Sequence, residues 1–319
     1  MAADRPILTL AHSGDPDDAF MWWPLTGKVR PDGSPVPGEG PRLISPRFAF
    51  RAVPGDIAEF NRLAAGSAPY DITALSVRAY ADVADRYVIT AVGSSFGEGY
   101  GPKVVSREGG RISLPRDLCS PGVRLAVPGL RTSAVLTLTL MLRELGPSTP
   151  ALIERRFDEI IPAVVRGEAD AGLVIHEGQV MFRDAGLREV IDLGEWWGRT
   201  RGLPLPLGIN AVKRDLDARF GPGSLVEVAG LLGQSLSFAL AHRDESVEYT
   251  LDYAAVNARA SGLHAPTRAT VERYLGMYVT SLTADMGDAG RAAIERLLAE
   301  GAKAGLCPSV PKIDVLERP

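Results

Sequence analysis

Short apolar runs alternate with stretches whose apolar residues recur at helical spacing along the first two thirds of the chain. An apolar run bounded by Gly, Pro, Asp or Ser reads as a strand, and a three- and four-residue apolar repeat reads as a helix. This pattern predicts strands over 7–10, 48–53, 71–75, 87–92, 103–106, 123–127, 169–175, 190–193 and 205–212. It predicts helices over 19–25, 57–65, 76–83, 133–144 and 157–166. From residue 224 the chain reads as helical to the end, with breaks near His242, His264 and Asp285. The segment 291–302 is amphipathic, with Ile294, Leu297, Leu298 and Ala302 on one face. Two stretches interrupt the alternation: 27–46, rich in Gly and Pro, reads as an irregular insertion, and 94–102 as a glycine-rich connector. The alternation predicts the α/β class with mostly parallel sheets. A faint echo joins Tyr70-Asp71-Ile72-Thr73-Ala74-Leu75-Ser76 to Ala169-Asp170-Ala171-Gly172-Leu173-Val174-Ile175-His176. Each follows a helix end and a Gly, and ends on a polar residue. Either two similar lobes face one cleft, or any helix–strand unit reads this way.

Composition narrows the partners. The 319 residues suffice for two domains or one large one, and 45% hydrophobic with 23% charged residues is ordinary for a soluble globular chain. Lys and Arg number 35 against 39 Asp and Glu, a net charge of −4 without a basic stripe, so a nucleic-acid partner is not expected. No run of 18 apolar residues occurs, so no membrane partner or span is expected. The apolar run 7–11 is too short for a signal peptide, and a cytoplasmic location is expected. Cys119 and Cys307 have no metal-ligand spacing and read as two reduced thiols; a disulfide between them would require export.

Candidate chemistry gathers after the predicted strands. His12 to Asp18, Ser76, Pro128 to Ser133, and His176-Glu177-Gly178 each follow one, and in an α/β fold these loops can meet at one mouth. Ser76, Thr132 and Ser133 sit at predicted helix N-termini, where free N–H groups favour a small carboxylate. The plainer role for each hydroxyl is helix capping. His176 ends a buried run and is either a base at a cleft floor or a hydrogen-bonded core histidine. His242 and His264 read as solvated. Trp22-Trp23 and Trp196-Trp197 are either pocket walls or core. His176-Glu177 lacks the second histidine of HExxH, and Asp15-Pro16-Asp17-Asp18 lacks EF-hand spacing, so no metal is expected. Gly97-x-Gly99-x-Gly101 precedes a strand rather than a helix, and neither a phosphate loop nor a GxSxG elbow occurs.

The segments Gly99-Tyr100-Gly101-Pro102, Pro128-Gly129-Leu130-Arg131-Thr132-Ser133 and Ile175-His176-Glu177-Gly178-Gln179 come in a familiar order. Asp192-Leu193-Gly194-Glu195-Trp196-Trp197 and Leu203-Pro204-Leu205-Pro206-Leu207-Gly208 follow them. Over most of its length the chain resembles the 1,4-dihydroxy-6-naphthoate synthases of the futalosine route to menaquinone. The resemblance implies a two-lobed type II periplasmic-binding-protein-like fold. A discontinuous large lobe would span 1–102 and 208–319, a small lobe 103–207, with hinge crossings near 99–102 and 203–208. It also implies a carbon–carbon lyase acting on cyclic de-hypoxanthine futalosine, a small-molecule carboxylate, without a cofactor. By this resemblance His176 matches the general base, and Ser76, Thr132 and Ser133 match residues that hold the substrate. The family's first loop often reads Ser-Pro-x-Pro-Asn-Asp-Thr-Phe. Here Ser13 to Phe20 keeps the acid as Asp18 but places Asp17 for the asparagine and Ala19 for the threonine. A further negative charge beside an anionic substrate is costly unless neutralised. Two alternatives share the fold: a solute-binding protein for a small carboxylate, and chorismate dehydratase. The His-Glu-Gly-Gln and Gly-Glu-Trp-Trp segments favour the synthase.

Overall fold

The computed structural model describes residues 5–317, and the strands in it fall into two sheets. In chain order they are β1 (Ile7–Ser13), β2 (Ala49–Gly55), β3 (Ile72–Ser76), β4 (Tyr87–Thr90), β5 (Ser95–Gly97) and β6 (Lys103–Arg107). β7 (Arg124–Val127), β8 (Ala151–Glu154), β9 (Ala171–Val174), β10 (Leu187–Asp192), β11 (Leu205–Lys213) and β12 (Val315–Leu316) complete the set. The first sheet runs β12-β4-β11-β3-β1-β2, with β5 also on β11; the second runs β10-β6-β9-β7-β8. The chain leaves the first sheet after β5 and returns to it with β11. That return begins at Leu205, which already pairs with Gly97 of β5.

The sheets are mixed, not mostly parallel. β1 runs parallel to β2 and β3, and β7 to β8 and β9. β11, arriving from the second sheet, inserts antiparallel between β3 and β4, and β6 is antiparallel to β9 and β10. Apolar periodicity carries no strand direction, so the alternation could not distinguish these cases. β3 and β9 are buried along their whole length, which is why they read as unbroken apolar runs. The strands β5, β8 and β12 lie outside the sequence reading. β8 is largely exposed at a sheet edge, and β5 and β12 have only three and two residues.

One buried cluster joins the sheets. It includes Leu75, Ile89 and Ile209 from the first and Leu125, Val127 and Leu173 from the second. The helix Gly287–Lys303 buries Ile294, Leu297 and Leu298 in it, the stripe that its spacing predicts. A second cluster lies where the helices Pro16–Thr26 and Ser224–Ala241 pack on the first sheet. Ser224–Ala241 is long and apolar enough to cross a membrane, with a mean hydropathy of 1.4. Here its Val228, Leu232 and Leu236 pack with Phe20 and Trp22, so the core accounts for its composition. The insertion 27–46 is irregular apart from one bridge between Val29 and Pro35. Lys28 pairs with Glu39 (3.2 Å) and Glu245 (2.9 Å), and Arg42 with Glu245 (3.1 Å). Both cations lie over the Trp23 ring, at 4.9 and 5.4 Å.

Candidate active site

β1 and β3 of one sheet and β7 and β9 of the other send their carboxyl ends towards one cavity. Ligands of α/β proteins sit beyond such strand ends. Asp18, Ser76, Thr132, Ser133 and His176 all line this cavity, with Ser13, Asp15, Asp17, Gln179, Asn210, Tyr274 and Tyr278. No Lys or Arg is among the lining residues. A carboxylate here would be held by hydroxyls, helix N–H groups and whatever charge His176 carries. Nor do the described His, Cys, Asp and Glu residues form a group of three placed to hold a metal ion.

The three hydroxyls divide by role. Thr132 is a helix cap: Oγ1 accepts the Val135 N–H (3.2 Å) and donates to the Gly129 carbonyl (2.8 Å). Ser76 occupies an N-cap position without capping. Its Oγ accepts from Asn61 Nδ2 and its N–H donates to Asn61 Oδ1, both at 2.9 Å. With Asn61 supplying the donor, the Ser76 hydroxyl keeps its own proton to give. Ser133 Oγ donates to the Leu207 carbonyl (2.6 Å) and accepts the Arg78 N–H (3.2 Å). It therefore ties the helix after β7 to β11 and to the turn after β3, across the two sheets.

His176 follows β9 with a φ of +53°, a left-handed conformation that among non-glycine residues is uncommon and tends to mark functional sites. Its Nδ1 lies 2.5 Å from Asp15 Oδ2, and its ring stands edge-on to Phe157 at 4.9 Å. Its Nε2 is buried and has no hydrogen-bond partner among the described residues. Burial alone would push the imidazole down. The Asp15 carboxylate, with Glu177 and Asp17 behind it, outweighs burial and raises it to about 9. Gln179 braces the same turn. In the amide orientation that satisfies both ends, its oxygen accepts the His176 N–H (3.2 Å) and its nitrogen donates to the Gly101 carbonyl.

The first loop explains its own acidity. Pro16 opens the helix Pro16–Thr26, and Asp15 stands at the N-cap position without capping it, because its carboxylate is turned to His176. Burial pushes Asp17 well above the carboxylate range, and the neighbouring Asp15 and Asp18 charges add to this. Tyr274 OH donates to Asp17 Oδ1 (3.0 Å). Asp18 accepts the Ser13 N–H (2.6 Å) and is pushed up to about 8, by burial first and by Asp15 second. The first loop thus carries Asp15, whose carboxyl His176 lowers against burial, and two acids, Asp17 and Asp18, that burial pushes towards the protonated form. Burial therefore works against the charge that Asp17 would add.

Several residues here carried no weight in the sequence reading. Asp15 was visible only as part of an acidic loop. Tyr274 and Tyr278 are an i,i+4 pair on the helix Arg268–Tyr278, a spacing equally usual for core packing. Asn61 faces inward from the helix Ile57–Ala65 among apolar neighbours. The tryptophans go the other way: all four are buried, and none lines the cavity. Gly194 of the Gly-Glu-Trp-Trp segment belongs to the crossing, since a Cβ there would fall 1.9 Å from the Tyr100 carbonyl oxygen. His242 and His264 are exposed, and Cys119 and Cys307 are unpaired.

Two lobes of mixed α/β structure with a cavity between facing strand ends define a type II periplasmic-binding-protein-like protein. An alkanesulfonate-binding protein from Xanthomonas axonopodis pv. citri shares this fold, with a TM-score of 0.63 at 17% identity over 99% of this chain and all of that one. The chain itself belongs to the menaquinone-biosynthesis family, whose model matches residues 8–303. A relative from Thermus thermophilus named 1,4-dihydroxy-6-naphthoate synthase is 36% identical over 96% of this chain and 97% of its own. One of the same name from Streptomyces coelicolor is 31% identical over 97% of each.

Proposed function

We propose that the protein is a carbon–carbon lyase that converts cyclic de-hypoxanthine futalosine into 1,4-dihydroxy-6-naphthoate and a small sugar-derived fragment. A cytoplasmic location accompanies this reading. The observation that carries it is a buried imidazole on the cavity wall, with Nδ1 held by a carboxylate and Nε2 without a partner among the described residues. In the proposed reaction, neutral His176 takes a hydroxyl proton from the sugar-derived part of the substrate at Nε2. The oxygen's electron pair forms a carbonyl while the carbon–carbon bond to the ring system breaks. The electrons of that bond pass into the ring system, the imidazolium returns the proton, and aromatisation drives the step. The Ser76 hydroxyl and the N–H groups at the start of the helix Ser133–Leu145 hold the substrate carboxylate. The lobes, 1–102 with 208–319 and 103–207, close about the two crossings and exclude water.

An imidazole raised to about 9 is a strong base but is mostly protonated at neutral pH. Roughly 1% is neutral at pH 7, so the reading predicts kcat/KM rising with pH along a limb that ends near 9. The test is naphthoate formation from cyclic de-hypoxanthine futalosine across pH. His176→Gln is expected to lose about 10²–10⁴-fold in kcat. A folded wild type that turns nothing over, yet is thermally stabilised by a carboxylate, would make the chain a binding protein. Turnover of chorismate instead would make it the dehydratase.

A further inference from the structure

Asp15 and His176 come from different lobes. Asp15 lies in the loop after β1 of the first sheet, and His176 follows β9 of the second. Their 2.5 Å contact therefore crosses the cavity rather than lying within one lobe. Asp15 is the residue that begins the helix Pro16–Thr26, and its side chain forgoes the cap that Asp ordinarily makes there. Its other oxygen, Oδ1, is buried with no donor among the described residues. Asp17, two residues on, faces it and already accepts from Tyr274. The Ser13 side chain also faces Asp15, and a protonated Asp17 would supply a donor for Oδ1.

We propose that Asp15 is the positioning residue for His176, reaching it from the opposite lobe, and that the Asp17 proton is shared with Asp15. Resting on the lyase reading, this deepens it: the base is oriented by the lobe opposite its own. The chain runs Tyr274 O–H to Asp17, Asp17 O–H to Asp15, and His176 Nδ1–H to Asp15. Asp15 fixes the tautomer so that Nε2 is the nitrogen that exchanges protons with substrate. The loop contributes Asp15, an acid in place of the unspecified third residue of the resembling pattern, and Asp17 in place of its asparagine.

The groups facing the pair are Asp17 and Asp18 from the helix Pro16–Thr26, Glu177 beside His176, and Tyr274 and Tyr278 from the helix Arg268–Tyr278. His12 of β1 also feels Asp15, and burial pushes its imidazole down. The Phe157 ring covers His176 and does not titrate.

The test is heteronuclear NMR of the imidazoles in the unliganded full-length protein, with His176 assigned by His176→Gln. In the wild type His176 is expected to titrate near pH 9 with a proton retained on Nδ1. Asp15→Asn is expected to lower that midpoint by one unit or more, about tenfold in proton affinity, and to release the tautomer. Asp17→Asn, whose amide still donates to Asp15, is expected to move it by less than about half a unit. Kinetically, Asp15→Asn should lower kcat at least tenfold and shift the acid limb of kcat/KM downwards by the same amount, with KM changed less than threefold. Asp15→Glu serves if the asparagine variant does not fold, and is expected to keep the raised midpoint at reduced kcat. Equal midpoints in wild type and Asp15→Asn overturn the proposal. So does an NMR shift with no kinetic limb shift, which would leave Asp15 a structural contact. Wild type without turnover but with the NMR shift overturns the lyase reading and leaves the Asp15–His176 pair standing.

Discussion

Glu177 follows the proposed base and is buried, with neither carboxylate oxygen hydrogen-bonded among the described residues. Asn257, which faces it, donates to the Gly14 carbonyl at 2.8 Å. Burial is the main cause of a carboxyl pushed up to about 7. The folded protein therefore binds more protons than the unfolded chain between about pH 4.5 and 7, so this group's contribution to stability falls as pH rises through that window. The difference is on the order of 3 kcal/mol above pH 7. Glu177→Gln is expected to raise the melting temperature of the unliganded protein at pH 8 and to change it little at pH 5. A difference from wild type that stays constant with pH would show that the carboxyl is not the source. The His176–Asp15 pair acts in the same direction at higher pH. A raised imidazole contributes stability fully below about 6.5, and that contribution is lost as pH rises through about 9. Nothing in a residue's local sequence reveals such shifts, because they come from burial and from charges brought near by the fold.

Identical chemistry at helix starts serves different ends. Thr132 and Ser76 both read as caps or anion holders, and only the surrounding elements separate them. Thr132 caps the helix Ser133–Leu145, so Thr132→Ala is expected to cost about 1 kcal/mol, roughly 2–4 °C in Tm, with KM little changed. Ser76 does not cap, and is held instead by Asn61 on a neighbouring helix. Ser76→Ala is expected to raise KM for the substrate by about tenfold, the loss of one hydrogen bond to a charged group. Thermal melts and steady-state kinetics on both variants check the division; equal effects on KM would refute it. The helix Ile57–Ala65 was readable to the residue from Ile57, Phe60, Leu63 and Ala64, of which it buries all but the half-buried Leu63. The pairing of its Asn61 with Ser76 was not, since an asparagine on a mostly apolar face gives no hint of its partner.

At the scale of the whole molecule the lobes approach closely at Gly129. It has a φ of +99°, and a Cβ there would meet the Ala58 Cβ at 2.8 Å. Gly129 follows β7 of one sheet, and Ala58 lies on the helix after β2 of the other. A methyl group at this position acts as a wedge between the lobes as well as straining the turn. Gly129→Ala is expected to enlarge the radius of gyration measured by X-ray scattering with ligand present, and to lower kcat/KM at least tenfold. Adding Ala58→Gly should restore both in large part. Failure of the second substitution to restore either would assign the defect to the turn alone.

Apolar periodicity by itself determined the α/β class, most strands and helices, and the placing of Ser76, Thr132, Ser133 and His176 after buried strands. Those features depend on neighbours within a few residues, where spacing dictates which face is buried. The tertiary structure alone decided that β11 runs against its neighbours and that the tryptophans pack away from the cavity. It also brought Asp15 across from the other lobe to His176 and pushed Asp17 and Asp18 towards the protonated form. These outcomes join residues far apart in the chain, and a charge's behaviour follows from what surrounds it after folding rather than from what precedes it in sequence.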